Sequence, residues 1–309
     1  MHNRAPYSLI VSLITTSLLL FLVACKDPEP SAPLTIDRVV RVQKDATDSE
    51  NLEVLSARYV VQGSQTKNPD RYVDFIGAVH LGETEYFTEL NNLFTQYDVV
   101  LFELVGDPTK LAHIKVARKP SLLGSVQQKF ADLLGLSFQL DEIDYTQPNF
   151  KHADMTPEQL SDAMDARGES AFTMILKVLK LSFDPELQKE LQRTGYTSKV
   201  LDQMSPLSLL LRGPTDEERA ELKRYMAHSL VSSDKVLSAL EGVAGGVLIA
   251  DRNAVAVEKV KEQLDAGVKK IAVYYGVGHL PDMDKRFREG VGVRLASTWW
   301  TPAWRLGKK

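Results

Sequence analysis

Two tetrapeptides of this chain end in histidine behind the same glycine spacing: Gly77-Ala78-Val79-His80 and Gly276-Val277-Gly278-His279. Histidine is scarce, with six in 309 residues, so two at matching places carry weight. Each tetrapeptide follows a short apolar run, Tyr72 to Ile76 and Ile271 to Tyr275, that reads as a strand. A histidine at the C-terminal end of a strand lies where an open α/β sheet gathers its ligands. A neutral imidazole there binds a transition metal or acts as a general base. The pair reads as two halves of one active site.

Other residues add to this pair. Glu103 ends the run Asp98-Val99-Val100-Leu101-Phe102-Glu103. In a parallel sheet its carboxylate comes to the same edge as His80, at the end of the neighbouring strand. A carboxylate there is costly unless it meets a metal or a cation; the plainer alternative is a solvated strand-end acid. Arg252, in Ile249-Ala250-Asp251-Arg252-Asn253, stands at a helix start, where its charge opposes the helix dipole. It would stabilise an oxyanion or hold a carboxylate, unless Asp251 or Asn253 caps the helix and Arg252 is exposed. The polar, aromatic segment from Ile143 to Met155 carries His152 and Asp154. Those two either join the site or tie down the loop ahead of Thr156. Glu83 and Glu85 read as supporting acids or as first-turn helix charges. His113 and His228 stand without evident partners and read as surface groups. Trp299, Trp300 and Trp304 read as packing residues or pocket lining.

The elements that must position these groups follow from periodicity. Ile36 to Val42 and Val54 to Gln62 read as strands joined by a polar loop from Lys44 to Asn51. Gly63 to Arg71 is a further loop. Glu83 to Gln96 is a helix by the spacing of Tyr86, Leu90, Leu93 and Phe94, and Val99 to Leu104 is a buried strand. From about residue 156 to 242 the spacing is helical, with starts at Thr156-Pro157-Glu158-Gln159, Asp184-Pro185-Glu186 and Thr215-Asp216-Glu217-Glu218. The apolar run from Met174 to Phe183 belongs to this helical insertion, which is placed to cover the site. After Gly242 to Gly246, a helix from Asn253 to Asp265 stops at Gly267, and Lys270 to Tyr275 forms a strand. A short helix from Pro281 to Arg288 and a strand from Gly292 to Ser297 follow. The fold class expected is α/β: a central mixed sheet built from two degenerate strand-GxxH-helix-strand halves, with the helical insertion between them.

Composition sets the broad class. The chain is 44% hydrophobic and 25% charged, which suits a globular core. A formal charge of −4 with no long basic block argues against nucleic acid as a partner, and Lys285-Arg286-Phe287-Arg288 reads as a solvated helix face. Residues 1–24 read as a lipoprotein signal peptide: Arg4, then an almost uncharged apolar run to Ala24. Leu22-Val23-Ala24-Cys25 resembles a bacterial lipobox, with Cys25, the only cysteine, as the lipidated residue. The alternative is an uncleaved transmembrane anchor. Residues 25–35 form a Pro-rich tether and residues 36–309 the α/β domain. The expected location is the bacterial cell envelope, with Cys25 holding the chain to a membrane. Lys26 after the cysteine favours the outer membrane, facing the periplasm.

Taken together, Ile76 to His80, Phe102-Glu103, the Ile143 to Met155 loop, Asp251-Arg252-Asn253 and Gly276-Val277-Gly278-His279-Leu280-Pro281 resemble the TraB/GumN family. That family is similar to the TIKI proteins and, more distantly, to erythromycin esterases and haem-binding ChaN proteins. The resemblance spans about residues 55 to 298. It implies paired Gly-x-x-His motifs, a Glu and an Arg around one cleft, here His80, Glu103, Arg252 and His279. It further implies a metal-dependent hydrolase of peptidase type using manganese or cobalt; with His80, Glu103 and His279 as ligands, two imidazoles and a carboxylate suit zinc equally. The expected substrate is a peptide or small acyl compound. The alternatives are a metal-free esterase-like hydrolase, a binding protein that sequesters a peptide or haem, and an inactive structural lipoprotein.

Overall fold

In a computed structural model of the chain, the structure describes residues 36, 38–61, 69–106, 131–168, 198–204, 212–232 and 247–307. Cys25 and its tether, His113, the Met174 to Phe183 run, the helix start at Asp184 and the Gly242 to Gly246 stretch lie outside them, as does most of the loop from Gly63.

The chain is mixed α/β around a central sheet that combines parallel and antiparallel strands. The described elements run in order β1 (Val40–Lys44), β2 (Glu50–Val61), β3 (Tyr72–Ala78), β4 (Leu81–Gly82), α1 (Thr84–Phe94), β5 (Val99–Phe102), β6 (Ser137–Phe138), α2 (Gln139–Glu142), β7 (Phe150–His152), α3 (Pro157–Asp165), α4 (Lys199–Gln203), α5 (Asp216–Ser232), α6 (Arg252–Asp265), β8 (Lys270–Gly276), α7 (Leu280–Arg286) and β9 (Val293–Gly307). Short π-helical turns precede α6 (Val247–Asp251) and follow α7 (Phe287–Val291).

The sheet order is β1-β2-β3-β8-β5-β7, with β9 on β2. Strands β3, β8, β5 and β7 are parallel, so their C-terminal ends share one edge. The residues of β3, β5 and β8 are apolar almost without interruption and nearly all buried, as expected of parallel strands covered on both faces, whereas the edge strand β7 is partly exposed. The sequence expectation that the strands of His80 and Glu103 are neighbours is corrected here. Strand β8 lies between β3 and β5, and it carries the second signature into the middle of the edge.

The antiparallel flank also departs from expectation. The β1–β2 turn is shorter than the expected loop because Asp45 Oδ1 accepts from the Thr47 and Ser49 amides, which lets β2 begin at Glu50. The last strand is longer than expected. Strand β9 lies antiparallel along β2 from Val293 to Gly307, with register shifts, and accommodates Pro302 at the sheet edge. The two halves therefore share their element order, but their last strands differ in direction. Trp304 is buried and its indole N–H donates to Leu81 O at 2.7 Å, an anchoring contact between β9 and the residue just after the first signature.

In the described part of the insertion, both expected capping boxes are present. Thr156 and Gln159 exchange side-chain and backbone bonds, as do Thr215 and Glu218. Helix α5 packs towards β9 and the start of β2: Lys223 Nζ meets Glu83 Oε1 at 2.6 Å, and Arg224 Nε donates to Leu306 O at 2.9 Å. His228, expected as a partnerless surface group, is half-buried on this helix with Nε2 3.5 Å from Glu50. Among the described residues no helix is long and apolar enough to cross a membrane.

Candidate functional site

The site grows from the parallel edge. Glu103 immediately follows β5, and its amide donates to Tyr274 O of β8 at 3.1 Å. That bond fixes the carboxylate beside the end of β8. Oε2 accepts from the Gly276 amide at 2.6 Å. Oε1 accepts from Arg252 Nη2 at 2.6 Å and lies 3.4 Å from His279 Nε2. Asp154, just beyond β7, completes the cluster: Arg252 Nε donates to its Oδ1 at 2.9 Å and Nη2 to its Oδ2 at 2.6 Å. The Met155 amide also donates to Asp154 Oδ1, at 2.7 Å. The Asp154 side chain is fully buried, and those of Arg252 and Glu103 are nearly so.

Charge explains the arrangement. Burial pushes the Glu103 carboxyl up, but the Arg252 guanidinium, His279 and His80 outweigh it and hold the acid well below the usual carboxylate range. Burial works against the Arg252 charge, and Glu103 and Asp154 more than offset it. Two carboxylates share one guanidinium, so within these contacts one negative charge is left beside His279. A buried negative charge of this kind favours a nearby cation.

Arg252 sits where it does for a local reason that sequence did not give. Helix α6 continues from the π-helical turn, with Asp251 itself in the helical region and no side-chain cap. Arg252 therefore stands inside a continuous helical path. Asp251 points away to pair with Arg167 at 2.8 Å. The exposed-Arg252 alternative is thus set aside by its burial, and its guanidinium is directed to Glu103 and Asp154.

His279 ends a 3-10 turn after β8 and is buried. Its Nδ1 lies 2.6 Å from Asn253 Oδ1, and its ring packs edge-on to Tyr275 at 5.2 Å between centroids. His80, half-buried two residues beyond β3, has Nδ1 3.1 Å from Gln139 Oε1, and its carbonyl accepts from the Gln139 amide at 2.9 Å. Gln139 Nε2 in turn donates to the Tyr145 hydroxyl at 2.9 Å. His80 stands at the same edge of the sheet, where its charge adds to the lowering of the Glu103 carboxyl.

Of the sequence candidates, Glu103, Arg252, Asp154 and His279 are in direct contact, and His80 lies at the same edge. His152 is not part of the cluster: its Nε2 bonds Leu104 O at 2.6 Å and its ring packs on Phe102, so it ties β7 to the segment after β5. Glu83 serves elsewhere, accepting from the Arg305 amide at 2.9 Å as well as from Lys223. Sequence reasoning missed Gln139 and the Gly276 amide, and treated Asn253 only as a helix cap. Its position next to Arg252 was the available signal for Asn253; Gln139 had none.

The donors at the cluster suit a divalent ion in chemistry. The 3.4 Å between His279 Nε2 and Glu103 Oε1 compares with about 3.3 Å for the nitrogen–oxygen edge of a tetrahedral ion with bonds of about 2.0 Å. Among the described residues, no group of three or more His, Cys, Asp or Glu side chains is spaced to hold a metal. Compared with protein-family models, curated proteins and solved structures, the chain matches none.

Proposed function

We propose that this chain is a lipid-anchored hydrolase of TraB/GumN type, acting on a peptide or similar acyl substrate at the C-terminal edge of β3, β8 and β5. The observation that carries the reading is the meeting of His279, Glu103, Arg252 and Asp154 at that edge, with His80 beside them. A binding module has less use for a buried carboxylate held ionised against a histidine nitrogen.

A manganese, cobalt or zinc ion would be held by His279 Nε2 and Glu103 Oε1; His80 is not spaced with them to complete a three-residue set. When bound, the metal lowers the pKa of a water and polarises the scissile carbonyl. The chain's own groups do the positioning. Arg252 keeps Glu103 ionised and fixed in direction, and Asp154 grips Arg252 through two bonds. The Gly276 amide holds the second Glu103 oxygen. His80, less buried than His279, is placed to meet water or substrate as a general base.

That last placement favours a second reading, in which His80 alone activates water and no metal takes part. Metal analysis and peptide-library cleavage by the wild type and a His80→Ala/His279→Ala variant separate the two. Bound metal lost with cleavage in the variant supports the first reading. Cleavage that resists chelation but is lost in His80→Ala supports the second. Bound iron with a haem absorption band, or cleavage unchanged in the double variant, overturns both.

A further inference from the structure

The hydrogen bonds around Asn253 fix which nitrogen of His279 carries the proton. Asn253 is fully buried. Its amide nitrogen faces two groups that only accept, the Asp282 carboxylate at 2.7 Å and the His279 carbonyl at 3.3 Å. Nδ2 must therefore be the donor end, and Oδ1 the end that faces His279 Nδ1 at 2.6 Å. An amide oxygen only accepts, so Nδ1 carries a hydrogen. Asp282 is held in turn by Arg286 Nε at 2.6 Å, which keeps its carboxylate turned to Asn253.

Without this lock, the neutral imidazole has a better place for its proton. Nε2 faces Glu103 Oε1 at 3.4 Å, and an N–H there would donate to the carboxylate. That tautomer ties up the nitrogen that points into the cluster. We propose that Asn253 is a positioning residue that holds His279 as the Nδ1–H tautomer, so that Nε2 presents its lone pair beside Glu103. The first signature has a similar arrangement, Gln139 Oε1 on His80 Nδ1, but Gln139 Nε2 meets a hydroxyl that can donate or accept. Of these two histidine-bound amides, Asn253 alone has its orientation dictated by its other neighbours.

The inference rests on the proposed hydrolase for its activity readout, and stands on its own for its spectroscopic one. The experiment is nitrogen NMR of the mature chain labelled with 15N-histidine and treated with chelator, with the His279 signal assigned by its loss in His279→Gln. In the neutral imidazole of the wild type, the proton is expected on Nδ1 and the bare nitrogen at Nε2. A wild-type His279 that carries a proton on Nε2 at neutral pH, whether alone or together with one on Nδ1, overturns the proposal, and this measurement needs no variant to fold. In Asn253→Ala the proton is expected to move to Nε2; a proton that stays on Nδ1 overturns it. The exchanged pair Asn253→Asp/Asp282→Asn, which keeps an acceptor towards Nδ1, is expected to return it to Nδ1. In peptide cleavage, Asn253→Ala should lower kcat about 10- to 100-fold with KM changed far less, as loss of a ligand-orienting partner does. If the wild type cleaves nothing, the hydrolase reading fails while the NMR result still decides the role of Asn253.

Discussion

A single nitrogen, Arg252 Nη2, lies 2.6 Å from Glu103 Oε1 and 2.6 Å from Asp154 Oδ2, joining the strand-end acid of β5 to the acid beyond β7. Both carboxylates are withdrawn from water, so removing the guanidinium leaves two buried negative charges facing each other. Arg252→Ala should cost about 3–5 kcal/mol of stability, the usual penalty for stripping one partner from a buried ion pair. Arg252→Lys keeps the charge but cannot reproduce the fork on Asp154, and should cost about 1.5–3 kcal/mol. Urea unfolding of the two variants checks the order; equal stability of all three proteins would contradict the bridging role.

The depressed acidity of Glu103 gives a pH dependence with a definite sign. Its folded value lies below the ordinary value of about 4.3, so the unfolded chain takes up the proton first as pH falls. The stability it contributes is complete above the ordinary value and is lost as pH drops through the folded one. The groups facing it are Arg252, His279 and His80. Glu103→Gln removes this linkage. Wild type should lose more stability than Glu103→Gln between neutral pH and the acid side of 4, measured by urea midpoints, and parallel curves would count against it.

The glycine of the first signature has a packing role separate from the chemistry. A Cβ on Gly77 would stand 2.2 Å from Leu55 O and 2.9 Å from Val277 Cγ2. The first contact is with backbone of β2, which cannot rotate away. The second is with the other signature, so the two motifs touch through their glycine and valine. Gly77→Ala should destabilise the fold by about 3 kcal/mol, at the upper end for overpacking. A variant with an unchanged thermal midpoint would show that β2 can retreat.

How far the sequence carried the account is clear from particular residues. The buried strands were legible because parallel strands are apolar on both faces, and the helix starts at Thr156 and Thr215 were legible because caps are local. His279, Glu103 and Arg252 were found because each sits at an element boundary in an otherwise apolar or helical pattern. Strand order was not legible: nothing near His80 or Glu103 says that β8 comes between them, since pairing partners are chosen by the whole sheet. Strand β9 was underestimated because Ser297, Thr298 and Pro302 break its apolar pattern, while its length is set by β2. Asn253 and Gln139 bond to histidines across the fold, and an amide carries no sign of its partner in sequence.

The central claim is that His80 and His279 serve one site. Peptide-library cleavage by the wild type, His80→Ala, His279→Ala and the double variant tests it most directly. Residues that act as a unit give losses that do not add. The expected result is hydrolysis by the wild type, a large loss in each single variant, and a double variant little worse than the poorer single one. Single variants that retain full activity, or losses that multiply in the double variant as for independent sites, would contradict it.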